Sequence, residues 1–409
     1  MYNTVSDPTV KINKCQEYLS TGTENENIIV TGTELVTTCK KMCEFIDKLC
    51  KQSNNILDND IDICNKMFRQ CCKYGHLDTI KYFVKCGNKM ENNIINIHSC
   101  NEEGFRNSCE NGHYEIVKYL VEIGANKKLS YKSINISTNS EEAFRLSCLN
   151  GHLQIVKFLV ETGINISSKP INIHIYDNEG FRHSCKNGHL EVAKYLIKVG
   201  NNMIYKPINI HARNEGAFRL SCQNGHLEVA KFLVETSIFL NSNISDKSGS
   251  ESKFESKSKS KIRSQLIDIH ALNEEAFRRS CENGYLHIVK FLIETGNILS
   301  FGQINIHMNN EEAFRLSCKN GHLHIVKYLT EAGLSLSDKP ININIYDEEA
   351  FRYSCKNGKL EIVKYLIQLG NDSRYKPINI HACDDEAFVE SCLNGSSDIM
   401  NFIIEINNE

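Results

Sequence analysis

The sequence predicts an all-α solenoid of about nine helix-turn-helix repeats of 37 residues, with short hairpin loops. One motif, Phe-Arg-x-Ser-Cys-x-Asn-Gly, recurs in register along the 409 residues. Its phenylalanines are separated by 37, 39, 37, 37, 59, 37, 37 and 37 residues, so one period holds apart from one insertion. Such a period is typical of stacked-repeat proteins. The phenylalanines are Phe68, Phe105, Phe144, Phe181, Phe218, Phe277, Phe314, Phe351 and Phe388, the first and last in looser copies.

Composition places the chain among ordinary folded proteins, with 41% hydrophobic and 24% charged residues. A net charge of −3 gives no overall attraction to nucleic acid or to an anionic membrane. The sequence has no apolar run of membrane-spanning length, and its first ten residues lack the apolar core of a signal peptide. We therefore expect an intracellular protein, cytoplasmic or nucleocytoplasmic, that is not secreted and does not enter a membrane.

Half of the eighteen cysteines occupy a single position of the repeat. Equivalent residues of neighbouring helices lie roughly 8–10 Å apart, which is too far for a disulfide. We therefore predict small, buried, reduced side chains that suit a reducing compartment. These residues are Cys72, Cys109, Cys148, Cys185, Cys222, Cys281, Cys318, Cys355 and Cys392.

Each repeat reads as helix, turn, helix and loop. A polar residue four positions before the phenylalanine is predicted to cap the first helix, and an Asn-Gly pair to end it. His322 opens the second helix of its repeat, in which Leu323, Val326 and Leu329 keep the 3.6-residue apolar spacing. The predicted caps are Asn101, Ser140, Asp177, Asn214, Asn273, Asn310, Asp347 and Asp384.

These motifs resemble the ankyrin repeat. In the stretch AFRLSCLNGHLQIVKFLVETG, Phe144 stands at the leucine of the Thr-Pro-Leu-His-x-Ala-Ala signature, Ser147-Cys148 at the paired alanines, and Gly151-His152 matches directly. Thr-Pro is absent, Arg145 replaces the signature histidine, and the period exceeds the usual 33 or so residues. The composition of the repeats, rich in Asn, Ile and Lys, is similar to that of the ankyrin proteins of giant amoeba viruses (mimivirus type).

Four segments follow from this reading. Residues 1–60 form an N-terminal helical cap or irregular segment, with a helix at Glu34–Lys51. Residues 61–236 hold repeats one to five, and residues 266–409 hold repeats six to nine with a C-terminal cap. Between them, residues 237–265 form a Ser/Lys-rich insertion with too few apolar residues to order itself.

The arginines of the repeated motif form a basic row, a pattern that can indicate nucleic-acid binding. Six of these arginines follow a glutamate by four residues, a favourable spacing for ion pairs on a helix surface. We therefore expect the row to be neutralised and no nucleic acid to bind there. The six glutamates are Glu102, Glu141, Glu215, Glu274, Glu311 and Glu348.

Histidines form two further rows, one after the glycine and one seven residues before the phenylalanine. Neighbours about 8–10 Å apart cannot share one metal ion, so no metal or other cofactor is expected. The second row is expected to be exposed and to tune a binding face around mildly acidic pH. It comprises His98, His174, His211, His270, His307 and His381.

No catalytic motif is present in the sequence, and a polar residue repeated in every unit is a scaffold feature. Positions that vary between repeats are more informative. The family resemblance implies that hairpin tips and the exposed side of the first helices bind a protein partner. Leucines at the same positions, such as Leu146, either join this face or pack between repeats. The predicted contact residues are Tyr176, Arg213, Leu272, Met308, Tyr346, His183, Arg279, Tyr353, Lys186, Lys319 and Lys356.

The sequence thus predicts a non-enzymatic, monomeric scaffold that binds an unidentified protein partner on the concave face. The alternative is an adaptor that links a captured protein to another complex, such as a ubiquitin ligase. A third alternative is nucleic-acid binding through the Ser/Lys insertion, which would weaken steeply with salt.

Overall fold

The prediction of an all-α helical solenoid is confirmed. The computed structural model describes residues 40–48, 58–87, 95–126, 131–165, 170–202, 204–245, 266–298, 302–336 and 339–408. Every regular element within these ranges is helical, and nine successive helix pairs follow one short helix. The chain divides into two compact units, Met1–Ile97 and His98–Glu409.

The first unit contains helix α1 (residues 40–48), α2 (Asp58–Tyr74) and α3 (Leu77–Gly87). Ile46 of α1 is fully buried, and Met42 lies with its sulfur 3.8 Å from Cys71 Sγ of α2. The apolar spacing of α1 thus faces the first helix pair. The rest of the predicted Glu34–Lys51 helix lies outside the described residues.

The second unit contains eight helix pairs. The first helices of successive pairs pack closely against one another, whereas the second helices touch far less. The pairs are α4 (Ser99–Glu110) with α5 (Tyr114–Ala125), α6 (Thr138–Leu149) with α7 (Leu153–Asn165), α8 (Ile175–Lys186) with α9 (Leu190–Gly200), α10 (Ala212–Gln223) with α11 (Leu227–Ser245), α12 (Ala271–Glu282) with α13 (Leu286–Ile298), α14 (Met308–Asn320) with α15 (Leu323–Leu336), α16 (Ile345–Lys356) with α17 (Leu360–Gly370), and α18 (Ala382–Leu393) with α19 (Ser397–Asn408).

The repeated phenylalanine forms the centre of each layer of the core except in the last described helix pair, where Phe388 is half-buried. Phe144 is fully buried together with Val156 and Leu159 of the second helix. Burial of one such ring stabilises the fold by about 1.5–3 kcal/mol. Ser147, one turn later, is also buried. Its hydroxyl tolerates burial because it donates to Ala143 O at 2.8 Å and lies 3.3 Å from Cys109 O of the preceding pair. A small side chain here lets successive first helices approach closely.

The insertion leaves the packing of its neighbours intact. Ser280 Oγ donates to Cys222 O at 3.1 Å, and Asn283 Nδ2 to Gln223 O at 2.8 Å, as at other junctions. Helix α11 extends to Ser245, into the segment 237–265 that the sequence assigns to the insertion. Residues 246–265 lie outside the described part of the chain.

Eight of the nine repeated cysteines are buried, as predicted. The expectation is wrong for Cys392, which is exposed because it lies in the last described helix pair, where no further pair covers it. Burial raises the pKa of Cys355 to about 12, and it raises the pKa of six other repeated cysteines far above the usual range. These six are Cys109, Cys148, Cys185, Cys222, Cys281 and Cys318.

This burial predicts selective thiol labelling. Under native conditions iodoacetamide should modify the exposed Cys100, Cys383 and Cys392 within minutes. Cys148, Cys222 and Cys318 should react only after denaturation, since the thiolate is the nucleophile and burial suppresses it. Peptide mass spectrometry measures both sets. Rapid native labelling of Cys222 would contradict the packing described here.

Candidate functional site

A left-handed turn of three residues opens each first helix of the second unit. In α8 these residues are Tyr176, Asp177 and Asn178, with φ of 49°, 57° and 59°. A left-handed conformation costs an L-residue about 1–2 kcal/mol, so three in succession need compensating interactions. The same turn occupies residues 100–102, 139–141, 213–215, 272–274, 309–311, 346–348 and 383–385.

The prediction that the polar residue four positions before the phenylalanine caps the helix is therefore wrong. That residue is the middle one of the left-handed turn. Asn and Asp suit this place because they tolerate positive φ better than most residues. The misassigned residues are Asn101, Ser140, Asp177, Asn214, Asn273, Asn310, Asp347 and Asp384.

The repeated arginine provides the compensating interactions. Arg315 Nε donates to Asn310 O at 2.9 Å and Nη2 to Asn309 O at 3.3 Å, so one guanidinium holds two carbonyls of its own turn. Its Nη1 pairs with Glu349 of the next helix pair at 2.6 Å, with both side chains largely buried. One side chain thus fixes the turn and joins two repeats.

Six such ion pairs neutralise six arginines of the row, but the glutamates differ from the predicted ones. The acidic residue is the glutamate two positions before the next phenylalanine, not the glutamate four residues before the arginine. That glutamate is itself the last residue of the left-handed turn, so its side chain does not lie on the helix surface one turn before the arginine. The pairs are Arg106–Glu142, Arg145–Glu179, Arg219–Glu275, Arg278–Glu312, Arg315–Glu349 and Arg352–Glu386.

The six glutamates once assigned to those surface pairs are buried instead. The carboxylate of Glu274 accepts hydrogen bonds from His270 Nδ1 at 2.7 Å and from the backbone N–H of Asn305, in the next hairpin, at 3.1 Å. Charge-assisted bonds of this kind are stronger than neutral ones. The glutamates Glu102, Glu141, Glu215, Glu311 and Glu348 each accept the equivalent backbone N–H.

The expected exposed histidine row is partly wrong for the same reason. His211 and His307 are half-buried and donate from Nδ1 to Glu215 and Glu311 at 2.8 Å. His381 of the last described pair is exposed, and its hydrogen bond to Asp385 raises its pKa. Most of this row therefore builds the hairpin and does not form a free binding surface.

The side chain of the first left-handed residue points to solvent. We call these positions the turn row: residues 100, 139, 176, 213, 272, 309, 346 and 383. Tyr176 is 54% exposed, Tyr346 51% and Leu272 48%. The turn row includes Asn309 in place of the predicted Met308, which lies one residue earlier and is half-buried.

Each tyrosine of the turn row lies over the arginine of the preceding pair. The centre of the Tyr176 ring is 5.2 Å from the Arg145 guanidinium, and that of Tyr346 is 4.9 Å from Arg315. Cation–π contacts of this kind are worth about 0.5–1 kcal/mol at exposed sites. These tyrosines are thus both accessible and held in place.

The remaining predicted contact residues continue this surface along the first helices. His183 Nδ1 lies 3.8 Å from Glu179, which pairs with Arg145 beneath Tyr176. Lys319 lies 5.4 Å from the centre of the Tyr353 ring, and Lys356 pairs with Glu390 at 3.3 Å. Arg279 pairs with Glu282 at 2.5 Å, and Lys186 is half-buried. We call the turn row and these six residues the first-helix face.

The histidine that follows the glycine joins one interhelical turn to the next. His322 Nε2 and Asn320 Nδ2 donate to Glu282 O of the preceding pair at 2.9 and 2.7 Å. Gly284 has φ +84°, and a Cβ there would lie 2.8 Å from the His322 ring. Glycine is therefore required by both conformation and space.

Sequence reasoning missed the glutamates that pair with the arginine row across repeats. A signal existed, because Glu142, Glu179, Glu275, Glu312 and Glu349 recur two residues before the phenylalanine. Only knowledge of the turn reveals which neighbour they meet. The described ranges contain no group of three His, Cys, Asp or Glu side chains arranged to hold a metal ion. No described helix is long and apolar enough to span a membrane.

Comparison with known protein families finds a match to a repeat family. The family model for ankyrin repeats (3 copies) matches residues 68–170 and 277–375. These segments lie on both sides of the insertion and contain the turns, arginines and glycines described above. A comparison with curated proteins found no match to this chain.

The arginine row yields a stability prediction. Arg315→Ala should lower the free energy of unfolding by about 1–3 kcal/mol, because it frees two carbonyls and a largely buried carboxylate. Arg182→Ala is the matched control, since Arg182 binds two carbonyls but Gly216 stands where its carboxylate partner would be. Urea denaturation measures both. Equal losses would contradict a stabilising role for the interrepeat ion pair.

The turn histidines yield a pH prediction. Burial is the main cause that lowers the pKa of His189, His226 and His322 from the usual 6.5. The unfolded chain therefore binds more protons than the folded one below pH 6.5, so stability falls as the pH drops through that range.

We expect a lower urea midpoint at pH 5.5 than at pH 7.5. A variant with His189→Gln, His226→Gln and His322→Gln should show a smaller difference between the two pH values. An unchanged difference would assign the pH dependence to other groups.

Proposed function

We propose that this chain, whose repeats match the ankyrin family model over residues 68–170 and 277–375, is a non-enzymatic scaffold that binds a protein partner on its first-helix face. Ankyrin repeats are generally protein–protein interaction modules. The observation that carries the proposal is the turn row, a series of exposed side chains that differ from repeat to repeat on an invariant frame.

The chemistry of the turn row suits protein recognition. Tyrosine and arginine are enriched among the residues that contribute most to binding, and Tyr176, Tyr346 and Arg213 supply both types. Leu272 adds an exposed apolar contact between them in sequence. A partner with apolar and acidic groups would complement this mixture.

The frame supports affinity by preorganisation. Side chains that are ordered before binding lose less conformational entropy when a partner docks. The tyrosines rest on guanidinium groups that are themselves bound to two carbonyls and a carboxylate. Little rearrangement of the turns is needed on binding.

We also propose a cellular setting. Free, buried cysteines suit a reducing compartment, which supports a cytoplasmic or nucleocytoplasmic location. The Asn-, Ile- and Lys-rich repeats support kinship with the ankyrin proteins of giant amoeba viruses, and the partner would then be a host protein. We expect the scaffold itself to be a monomer.

The test compares two variants in affinity capture from a host lysate followed by mass spectrometry. The first variant carries Tyr176→Ala, Arg213→Ala, Leu272→Ala and Tyr346→Ala. The control carries Glu191→Ala, Glu228→Ala and Glu361→Ala on exposed sites of second helices. We expect the first to lose a defined partner at least tenfold and the control to retain it, since exposed aromatic and arginine contacts dominate interfaces.

Circular dichroism and thermal unfolding establish that both variants remain folded. Equal capture by the wild type and the turn-row variant would show that the partner binds elsewhere. Recovery of nucleic acid without a protein partner would also refute the proposal.

A further inference from the structure

The arginine row has one gap. Seven arginines of the second unit occupy the same place after the phenylalanine, and six of them pair with a glutamate of the next repeat. The seventh, Arg182, meets Gly216 at that position. A Cβ on Gly216 would lie 3.4 Å from Arg182 Cδ, so the two residues are direct neighbours.

Arg182 is otherwise placed like the rest of the row. Its Nε donates to Asp177 O and its Nη2 to Tyr176 O, both at 3.0 Å. Among the described residues no acceptor is within bonding distance of Nη1, the atom that binds glutamate in the other repeats. The guanidinium is thus oriented for a carboxylate that its own chain does not supply.

The surroundings do not compensate for this charge. Glu179 pairs with Arg145, and Asp177 pairs with Arg213 Nε at 2.7 Å. Burial and then the Arg213 charge lower the pKa of Arg182, while Glu179 and Asp177 act in the opposite direction. Of Arg145, Arg182 and Arg213, only Arg182 has no bonded acid among the described residues, which leaves about one positive charge on these three side chains.

We propose that Arg182, with Arg213 beside it, binds one carboxylate side chain from an acidic segment of the protein partner. The carboxylate occupies the place that glutamate fills at the six other junctions. This inference rests on the proposed function and adds the chemistry of one contact to it.

The structure itself supplies the precedent for the ligand. Arg106, Arg278 and Arg315 bind carboxylates through Nη1 at 2.7, 2.6 and 2.6 Å in otherwise equivalent surroundings. A single uncompensated charge matches a carboxylate better than a doubly charged phosphate. Tyr176 is exposed next to the gap, and it can cover an aliphatic part of the same segment.

Filling the gap from within gives a direct test. Gly216→Glu supplies the missing carboxylate in cis, whereas Gly216→Gln adds a side chain of the same size without charge. The added Cβ would lie 3.2 Å from Arg213 Cβ and 3.4 Å from Arg182 Cδ, and the six other junctions hold a glutamate at the equivalent position, so both variants should fold. We expect Gly216→Glu to have the higher Tm of the two.

Binding is then measured with a phage library of random 12-residue peptides, selected on the full-length wild-type protein. Selected peptides should be enriched in Asp and Glu. Their affinity should fall about tenfold for Gly216→Glu and stay within about threefold for Gly216→Gln, as expected when one charge-assisted pair is lost.

Peptides without acidic enrichment, or equal binding to Gly216→Glu and the wild type, would overturn the inference. Such peptides would still support the scaffold function if the four alanines in the turn row abolished their binding. If neither Gly216→Glu nor the four alanines in the turn row reduced peptide binding, both proposals would be refuted. The two failures are therefore distinguishable.

Discussion

The arrangement depends on one guanidinium group, which is present in seven of the eight helix pairs of the second unit. It donates to two carbonyls of a left-handed turn and to a carboxylate of the next helix pair, as Arg315 does with Asn310, Asn309 and Glu349. A lysine has one donor group and could not span all three directions in this geometry. Because the same group shapes the turn and joins the repeats, local conformation and stacking are coupled. The buried glutamate next to it extends the coupling, since it binds the following hairpin through backbone N–H groups.

Much of this fold follows from the sequence. The period, the paired amphipathic helices, the buried phenylalanine and the buried cysteines are all encoded in spacing, because burial on one face of a helix imposes it. The turn is different. Asn101 and Glu102 look like a cap and the first residue of a right-handed helix, but the Arg106 side chain donates to the carbonyls of this turn and favours positive φ there. The assumed helical spacing then assigned the arginines the wrong glutamates. A pattern read as continuous helix cannot place side chains across a left-handed interruption.

The first-helix face shows the same contrast between what sequence spacing reveals and what depends on contacts between repeats. Variation between repeats identified Tyr176, Arg213, Leu272 and Tyr346, and these side chains are exposed at one equivalent position. Met308 was assigned one residue out of register, because its repeat has asparagines on the turn and offers no prominent tip residue. The gap at Gly216 was visible as a missing glutamate, yet its meaning depends on the pairing between repeats. The role of a residue on this face depends on which residue of the neighbouring repeat contacts it.

The junction at the insertion bears on how such a chain can change over time. Helices α10 and α12 meet through the same bonds as uninterrupted neighbours, although 59 residues separate their phenylalanines. Closing a longer flexible loop costs only about 0.6 kcal/mol for each doubling of its length. A longer connection between two repeats therefore costs little stability. A gene can gain or lose a segment there without disturbing the repeats on either side. Protein engineers could use this junction to carry a tag or a second binding module.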